Sequence, residues 1–278
     1  FAENNKYGTF PSASFAWILS DESFLNEAHF IDFLKMRLSY GSVGNQAISP
    51  YQSLGLLATT QYVFDGGSTS LGIYPNNMAN PDLKWETTYK TNFGIDFSIL
   101  KSRISGTIDL YNMKTKDLLV DRALPQMTGF SSVLTNIGEV NNKGIEITLN
   151  TLNIIKNKFE WRTTLIFSRN KNKIVHLYYT DTNGDGKEDD DIGNNWFIGH
   201  PITVFYDYVF DGIYQERDNL PSDTHPGDVR LKDLNNDGII DFNDRAIIGQ
   251  GGQPKFKWGV TNNFKYGNFE FSIFINSM

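Results

Sequence analysis

The sequence predicts an all-β fold, an antiparallel β-barrel that spans a membrane. Along residues 85–99, apolar or amphipathic side chains at odd positions alternate with polar ones at even positions. At about 3.3 Å per residue this stretch extends roughly 50 Å, well beyond the five or six residues of a usual soluble strand. A two-residue period held over such a length indicates a strand with one apolar and one polar face.

The connections give the second indication. Tight breaks are predicted at 100–102, 155–157 and 266–268. Long polar segments are predicted between them, at 43–82, 118–141 and 171–255. Short and long connections that alternate strictly are typical of outer-membrane barrels, which have short periplasmic turns and long extracellular loops.

Alternation predicts eight strands, with a single helix at 22–32. The strands are expected at about 13–19, 34–40, 85–99, 104–110, 145–149, 159–167, 256–266 and 269–275. Trp85 and Trp258 are expected at the extracellular ends of their strands, and Trp161 and Tyr266 at the periplasmic ends, where aromatic girdles lie. The alternative is a soluble β-sandwich that buries the same apolar rows against a second sheet.

Composition excludes several classes of protein. Hydrophobic residues make up 40% of the 278 residues and aromatic residues 14%, too many for a disordered chain. A net charge of −7 argues against a nucleic-acid partner bound by a broad basic face. Without cysteine, the chain has no disulfide, thiolate zinc site or cysteine nucleophile.

Segments spread over nearly the whole chain resemble, in the same order, those of SusC/RagA-type TonB-dependent transporters. The matching segments are Leu34–Gln46, Asn80–Thr88, Gly94–Asp96, Tyr111–Asn112, Lys116–Leu118, Asn136–Glu146, Gly199–Pro201, Asp211–Gln215, Pro226–Asp228 and Asp233–Gly249. The resemblance implies a segment, spanning residues 1–278, from the middle to late part of a 22-stranded barrel in the bacterial outer membrane. The plug and the TonB-contacting segment are then expected outside this chain, before Phe1.

The same resemblance implies a function and partners. Such barrels import oligosaccharides or peptides together with a SusD-like surface lipoprotein, and they contact the TonB complex through the N-terminal part. The glycan or peptide substrate, the lipoprotein, the TonB complex and membrane lipid are therefore the expected partners, and no nucleic acid is expected.

One motif in the long segment 171–255 predicts a calcium site. Oxygen-bearing residues stand at positions 1, 3, 5, 9 and 12 of a loop, a glycine at position 6, and a main-chain carbonyl at position 7, the spacing of helical and dockerin-like calcium loops. The predicted ligands are Asp233, Asn235, Asp237, the carbonyl of Ile239, Asp241 and Asp244. A structural role for Ca²⁺ is expected; the alternative is an acidic turn, since turns select Asp, Asn and Gly.

A weaker copy of this motif lies upstream. Asp181, Asn183 and Asp185 repeat positions 1, 3 and 5, but position 12 is Ile192. A second metal site would need Asp191 as the closing carboxylate in a shifted register. A solvated acidic loop is an equally good interpretation.

Aromatic residues of the same segment are candidates for substrate contact, because aromatic faces stack on sugar rings. Trp196, Tyr206 and Tyr208 represent this cluster, and the alternative is a small core that lets the long loop fold. No catalytic motif is recognised, so the chain is expected not to be an enzyme. Three functions stay open: a SusC-like importer, a passive porin, or a secreted calcium-binding β-sandwich such as an adhesin or carbohydrate-binding module.

Overall fold

A computed structural model describes residues 2–25, 27–64, 66–220 and 223–278. In these residues the strands are β1 Ser12–Ile18, β2 Ile31–Asn45, β3 Leu57–Phe64, β4 Ser68–Pro75, β5 Glu86–Ile99, β6 Ile104–Lys116, β7 Leu119–Ala123, β8 Ser132–Asn136, β9 Glu139–Lys156, β10 Phe159–His176, β11 Val204–Tyr208, β12 Phe210–Ile213, β13 Val229–Leu231, β14 Arg245–Gln250, β15 Lys257–Tyr266 and β16 Phe269–Ser277. Short 3₁₀ helices cover Glu3–Asn5, Leu19–Asp21, Ser23–Leu25, Gln126–Thr128, Ile192–Asn194 and Phe242–Asp244.

Eight of the strands form one antiparallel sheet in the order β1-β2-β5-β6-β9-β10-β15-β16. Every neighbouring pair is antiparallel, and the order follows the chain, as the sequence predicts. The remaining strands of the described residues form four small hairpins or ladders, β3-β4, β7-β8, β11-β14 and β12-β13. The expected eight-stranded antiparallel segment is confirmed.

Connections alternate between the two edges of this sheet. One edge, the turn edge, carries residues 19–30, 100–103, 157–158 and 267–268. The opposite edge, the loop edge, carries the three long segments 46–85, 117–138 and 177–256. Trp85 and Trp258 lie at the loop edge and Trp161 and Tyr266 at the turn edge, where the aromatic pattern predicts them.

Strand register places the apolar side chains on one face of the sheet. One row across the strands runs Trp17, Met36, Ile95, Ile108, Ile147, Phe167 and Trp258. Leu110, in a neighbouring row near the middle of the sheet, is 46% exposed. Within the described residues no second sheet packs on this face, so the β-sandwich alternative lacks the layer it requires. In the same residues no helix is long and apolar enough to cross a membrane.

The opposite face is polar and carries a cluster of charges. The Arg37 guanidinium donates to both carboxylate oxygens of Asp96, at 2.8 and 2.9 Å, and to Asp109 at 3.2 Å. Asn92 donates to the other oxygen of Asp109 at 2.9 Å. Gly94 stands in register between Arg37 and Asp109, and its missing side chain leaves room for the guanidinium to cross β5.

The helix predicted at 22–32 is wrong. Two short 3₁₀ turns occupy Leu19–Asp21 and Ser23–Leu25, and β2 begins at Ile31. Pairing of Ile31 with Ile99 takes the end of the predicted helix into the sheet. The segment between residue 22 and the start of β2 is too short to offset the unfavourable nucleation of an α-helix.

The best-buried hydrophobic cluster of the described residues lies at the loop edge rather than in the sheet. Val140, Ile174 and Leu177 are buried there, and Leu118, Tyr178, Trp196 and Ile198 pack around them. This cluster attaches the second and third long segments to the ends of β9 and β10 and so positions the candidate site.

Candidate functional site

The three long segments contact one another at the loop edge. Asn80 of the first donates to the carbonyl of Leu134 in the second at 2.8 Å, and Lys84 N–H donates to Asn136 at 2.7 Å. Arg122 of the second lies 5.6 Å from the centre of the Tyr178 ring in the third. Together they form one layer of loops over one end of the sheet.

The β3-β4 hairpin adds an exposed apolar surface to this layer. Cross-strand register places Leu57, Val63, Leu71 and Ile73 on one face of the hairpin, here called the hairpin face. These side chains are 55–71% exposed, although contiguous apolar surface is normally buried. The hairpin was not predicted from the sequence, where 43–82 was interpreted as a long polar connection, because 57–63 shows no period-two alternation.

The calcium-like loop folds around its first three predicted ligands. The carboxylate of Asp233 accepts hydrogen bonds from the N–H groups of Asn236 and Gly238 at 2.6 and 2.8 Å. The side-chain oxygen of Asn235 accepts from Asp237 N–H at 3.0 Å. Asn236 and Gly238 take positive φ values of 60° and 83°, so the chain turns sharply at the expected position 6.

The closing residue of this loop, Asp244, is fully buried. Its carboxylate accepts from Asp241 N–H at 2.9 Å and from Leu234 N–H at 2.8 Å, which closes the loop end to end. These N–H groups hold the pKa of the Asp244 carboxyl below its ordinary value. A buried carboxylate kept ionised beside the start of the loop is a donor that fits a hard cation.

The fit of the loop to Ca²⁺ depends on its mixed donor set. Across the described residues, no group of three or more His, Cys, Asp or Glu side chains is arranged to hold a metal ion by itself. The four predicted carboxylates, those of Asp233, Asp237, Asp241 and Asp244, are therefore not gathered around one point, and a Ca²⁺ site here stays a prediction that would also use the amide oxygen of Asn235 and the carbonyl of Ile239. Carboxylate, amide and carbonyl oxygens are all ligands that Ca²⁺ accepts.

The upstream loop folds in the same way. Asp181 accepts from the N–H groups of Gly184 and Gly186 at 2.7 and 2.9 Å, and Asn183 accepts from Asp185 N–H at 2.9 Å. In both loops the first residue accepts from the N–H groups of the fourth and sixth residues, and the third residue accepts from the N–H group of the fifth. The two loops therefore share a local conformation as well as a sequence pattern.

Two carboxylates at the end of the upstream loop, Asp189 and Asp191, make different hydrogen bonds. Asp189 accepts from Thr182 N–H at 2.7 Å, as Asp244 does from Leu234 N–H. Asp191, the predicted residue, instead accepts from the Tyr178 hydroxyl at 2.6 Å. Asp189 therefore makes, from position 9 of its loop, a hydrogen bond like that of Asp244 at position 12, and a metal-binding role for Asp191 stays a prediction.

Asp191 belongs to a polar network at the base of the loops. Burial and the hydrogen bond to Asp191 raise the pKa of Tyr178 to about 12. Burial alone would raise the pKa of Asp191, but hydrogen bonds from Tyr178 and Asn194 outweigh it and lower that pKa. Both groups therefore keep their usual charge at neutral pH.

A second polar contact, between Glu188 and His176, lies beside the Asp191 network and was not predicted from the sequence. Glu188 contacts His176 Nδ1 at 2.8 Å and accepts from the N–H groups of Leu177 and Tyr179 at 2.6 and 2.8 Å. Burial would raise the pKa of Glu188, but the donors at Tyr179, His176 and Leu177 lower it. Glu188 therefore fixes the upstream loop to the end of β10.

The candidate substrate-contacting aromatics lie in the body of the loop layer. Trp196 is partly buried against the loop-edge cluster and lines a cavity of about 70 Å³. The Tyr206 ring packs 4.7 Å from Phe197 and carries the Arg245 guanidinium 5.1 Å from its centre. Tyr208 is half-buried and pairs with Arg245 across β11 and β14. Substrate contact by Trp196, Tyr206 and Tyr208 stays a prediction.

Comparisons with known proteins agree with this architecture. The family model described as TonB dependent receptor-like, beta-barrel, matches residues 1–238. TonB-dependent receptor P3 of Formosa agariphila is 37% identical over 291 residues, which cover 100% of this chain and 28% of that protein. TonB-dependent receptor SusC of Bacteroides thetaiotaomicron is 32% identical over 289 residues, which cover 98% and 28% of the two chains.

Among solved structures, the RagAB peptide transporter matches with a TM-score of 0.80 and 22% sequence identity. The match covers 99% of this chain and 30% of that chain, and it shows the shared fold. This chain spans less than a third of the length of the relatives it matches. The chain belongs to the TonB-dependent receptor family, as an antiparallel segment of its outer-membrane β-barrel.

Proposed function

We propose that this chain is part of a TonB-dependent transporter that imports oligosaccharides or peptides across the outer membrane together with a SusD-like lipoprotein. The observation that carries the proposal is the placement of all three long segments at one edge of a sheet with one bare apolar face. A barrel built this way offers its apolar face to lipid and its loop layer to partners outside the cell. The named activity of the RagAB peptide transporter and the name SusC support import rather than catalysis, so no enzymatic role is proposed.

A passive porin would show the same sheet, so energy dependence separates the two functions. We expect cells that carry the full-length protein to take up labelled oligosaccharides or peptides only while the proton-motive force is intact. Uptake should fall at least tenfold when a protonophore is added or when TonB is deleted, and a small solute that crosses by general diffusion serves as the control. Uptake that continues undiminished in both conditions would establish the porin instead.

The lipoprotein partner is proposed for the loop layer. The hairpin face supplies exposed apolar surface on the first long segment, and Asn80 and Lys84 of that segment bond to the second long segment. An exposed apolar patch rimmed by polar residues is typical of a protein interface.

A structural Ca²⁺ is proposed for the loop of Asp233, Asn235, Asp237, Ile239, Asp241 and Asp244. Its support is the folded backbone around positions 1 to 6 and the buried carboxylate of Asp244. A second Ca²⁺ is proposed for the loop of Asp181, Asn183 and Asp185, with Asp191 as the closing carboxylate predicted from the sequence. In both loops the ion would reduce repulsion among neighbouring carboxylates and order the segment without taking part in any reaction.

Removal of calcium from the downstream loop is expected to loosen it locally. In the full-length protein, a chelator should increase protease cleavage between residues 226 and 249 severalfold, because the carboxylates then repel one another. Asp237→Ala should show the increased cleavage with or without Ca²⁺, while the barrel stays folded. Equal cleavage of both proteins in both conditions would show that the motif is only an acidic turn.

A further inference from the structure

Four cations of the turn edge lack carboxylate partners. No ion pair of the described residues includes Lys101, Arg103, Lys156 or Lys158. We call these four residues the basic rim. They occupy the β5-β6 and β9-β10 hairpin ends, which are neighbours in the sheet.

Cations on the adjoining strands do have partners. Lys265 lies 2.9 Å from Glu270, and Arg162 pairs with Glu160. Acidic groups near the other end of the turn edge are also engaged, since Glu22 accepts from the Trp17 indole and Asp32 accepts from the Ser102 N–H. Because the Asp32 carboxylate lies at the β5-β6 end, beside Lys101 and Arg103, the clear excess of positive charge is at the β9-β10 end, where Lys156 and Lys158 lie.

Apolar side chains surround the basic rim. Lys156 and Lys158 share a groove of about 600 Å³ with Ile154, Phe159 and Tyr266. Ile154 is 40% exposed and Tyr266 64% exposed. The groove thus combines two unpaired ammonium groups with exposed apolar and aromatic surface.

A second groove of the same character adjoins the first. It contains Lys101 and Arg103 beside Phe30, Leu100 and Ile104. The Arg103 guanidinium donates to the carbonyl of Asn153 at 2.7 Å, which holds it next to the strand segment that lines the first groove. The two grooves therefore lie at neighbouring hairpin ends, with Asn153 lining one and Ile154 the other.

Strand register places the first groove where the apolar face ends. Lys156 stands opposite Phe159, and Phe159 stands opposite Tyr266, so the three residues share one row on the apolar face at the turn edge. In a membrane barrel this level meets the boundary between acyl chains and headgroups, where aromatic rings and snorkelling lysines are favoured. A lipid phosphate at this boundary would face the ammonium groups while its acyl chains contact the apolar face.

We propose that the basic rim binds the phosphate of an anionic glycerophospholipid in the periplasmic leaflet. This inference rests on the proposed role of the chain in an outer-membrane barrel. Charge complementarity selects the occupant, because unpaired lysines near a membrane surface attract anionic headgroups. The adjacent apolar groove favours a lipid over a free anion.

The test measures lipid binding to the full-length protein purified in mild detergent. Native mass spectrometry would follow the addition of phosphatidylglycerol, with phosphatidylcholine as the zwitterionic comparison and inorganic phosphate as the competitor. The double variant Lys156→Gln/Lys158→Gln is compared with Lys187→Gln/Lys232→Gln, which removes two exposed lysines from the loop side of the molecule. Retained heat-modifiable migration on gels shows that each variant is folded.

We expect affinity for phosphatidylglycerol to fall about fivefold for each rim lysine removed, which corresponds to about 1 kcal/mol each. The control variant should bind like the wild type, phosphatidylcholine should bind weakly to all proteins, and millimolar phosphate should not displace the lipid. Equal binding by the rim variant and the wild type would overturn the inference, as would displacement by phosphate alone. The lipid proposal and the transport proposal can fail separately. If the rim variant binds lipid as well as the wild type, while the protein inserts into the outer membrane and takes up substrate, the lipid site is refuted and the transport proposal stands.

Discussion

Replacement of Gly144 by alanine is expected to destabilise the folded barrel by roughly 2–3 kcal/mol. A Cβ atom at this position would lie 2.3 Å from the Tyr111 ring and 2.7 Å from the carbonyl oxygen of Arg169. Both distances are shorter than real carbon contacts, and the carbonyl belongs to a paired strand that cannot move without disturbing the sheet.

Tyr111 explains why this glycine is needed. Its ring crosses β9 above Gly144, and its hydroxyl donates to the Asn170 side chain on β10 at 3.1 Å. The glycine therefore lets one side chain reach over an intervening strand to the next. Any side chain at position 144 would block this path.

The measurement is the temperature at which the purified full-length protein loses its folded migration on gels. Gly55→Ala is the matched control, because its Cβ would meet only ordinary contacts at 3.9 Å. In a double variant with Tyr111→Ala, part of the loss should be recovered, since one of the two clashing groups is gone. A Gly144→Ala protein as stable as Gly55→Ala would contradict the argument.

The second large effect is expected at the hairpin face. Leu71→Asp/Ile73→Asp should weaken binding of the proposed SusD-like lipoprotein by roughly a hundredfold, about 3 kcal/mol, because it would bury two carboxylates in an apolar contact. Recovery of the lipoprotein with the full-length transporter after detergent extraction is the measurement.

Charge alone is controlled by placing the same substitutions on the other face of the hairpin. Thr60→Asp/Ser70→Asp adds two carboxylates to the same hairpin, one on β3 and one on β4, and both residues are exposed. This control should retain the lipoprotein. Equal recovery with both variants would show that the hairpin face is not the contact, and equal loss would indicate a general effect of negative charge.

The sheet could be predicted from the sequence wherever one face needs to be apolar. The alternation of 85–99 gave β5 almost to the residue, because a two-residue period follows directly from one apolar face. The predictions for β9 and β10 were too short. Both strands continue to the loop edge, to Glu139 and His176, through stretches such as 139–143 where polar residues occupy both faces and alternation disappears.

The candidate site was predictable only where its residues are close in sequence. The two calcium-like loops are local motifs, and their spacing predicted the turn that the structure shows around their first, third and fifth residues. The contact of Glu188 with His176, and the different hydrogen bonds of Asp189 and Asp191, depend on how the loop returns to the end of β10. No local spacing encodes that return, because it is set by the packing of Leu177 and its neighbours.

The charge cluster of Arg37, Asp96 and Asp109 has a consequence for how the strands find their register. A slip of one residue would turn the apolar face inward, so alternation alone forbids it. A slip of two residues keeps the apolar face outward, and alternation cannot distinguish it from the native pairing. It would, however, carry Asp109 about 7 Å from the guanidinium of Arg37 and bring another residue beside Gly94. The cluster therefore favours the native register of β2, β5 and β6. A two-residue slip would lose the contact between Arg37 and Asp109, so it is disfavoured even before the barrel has closed.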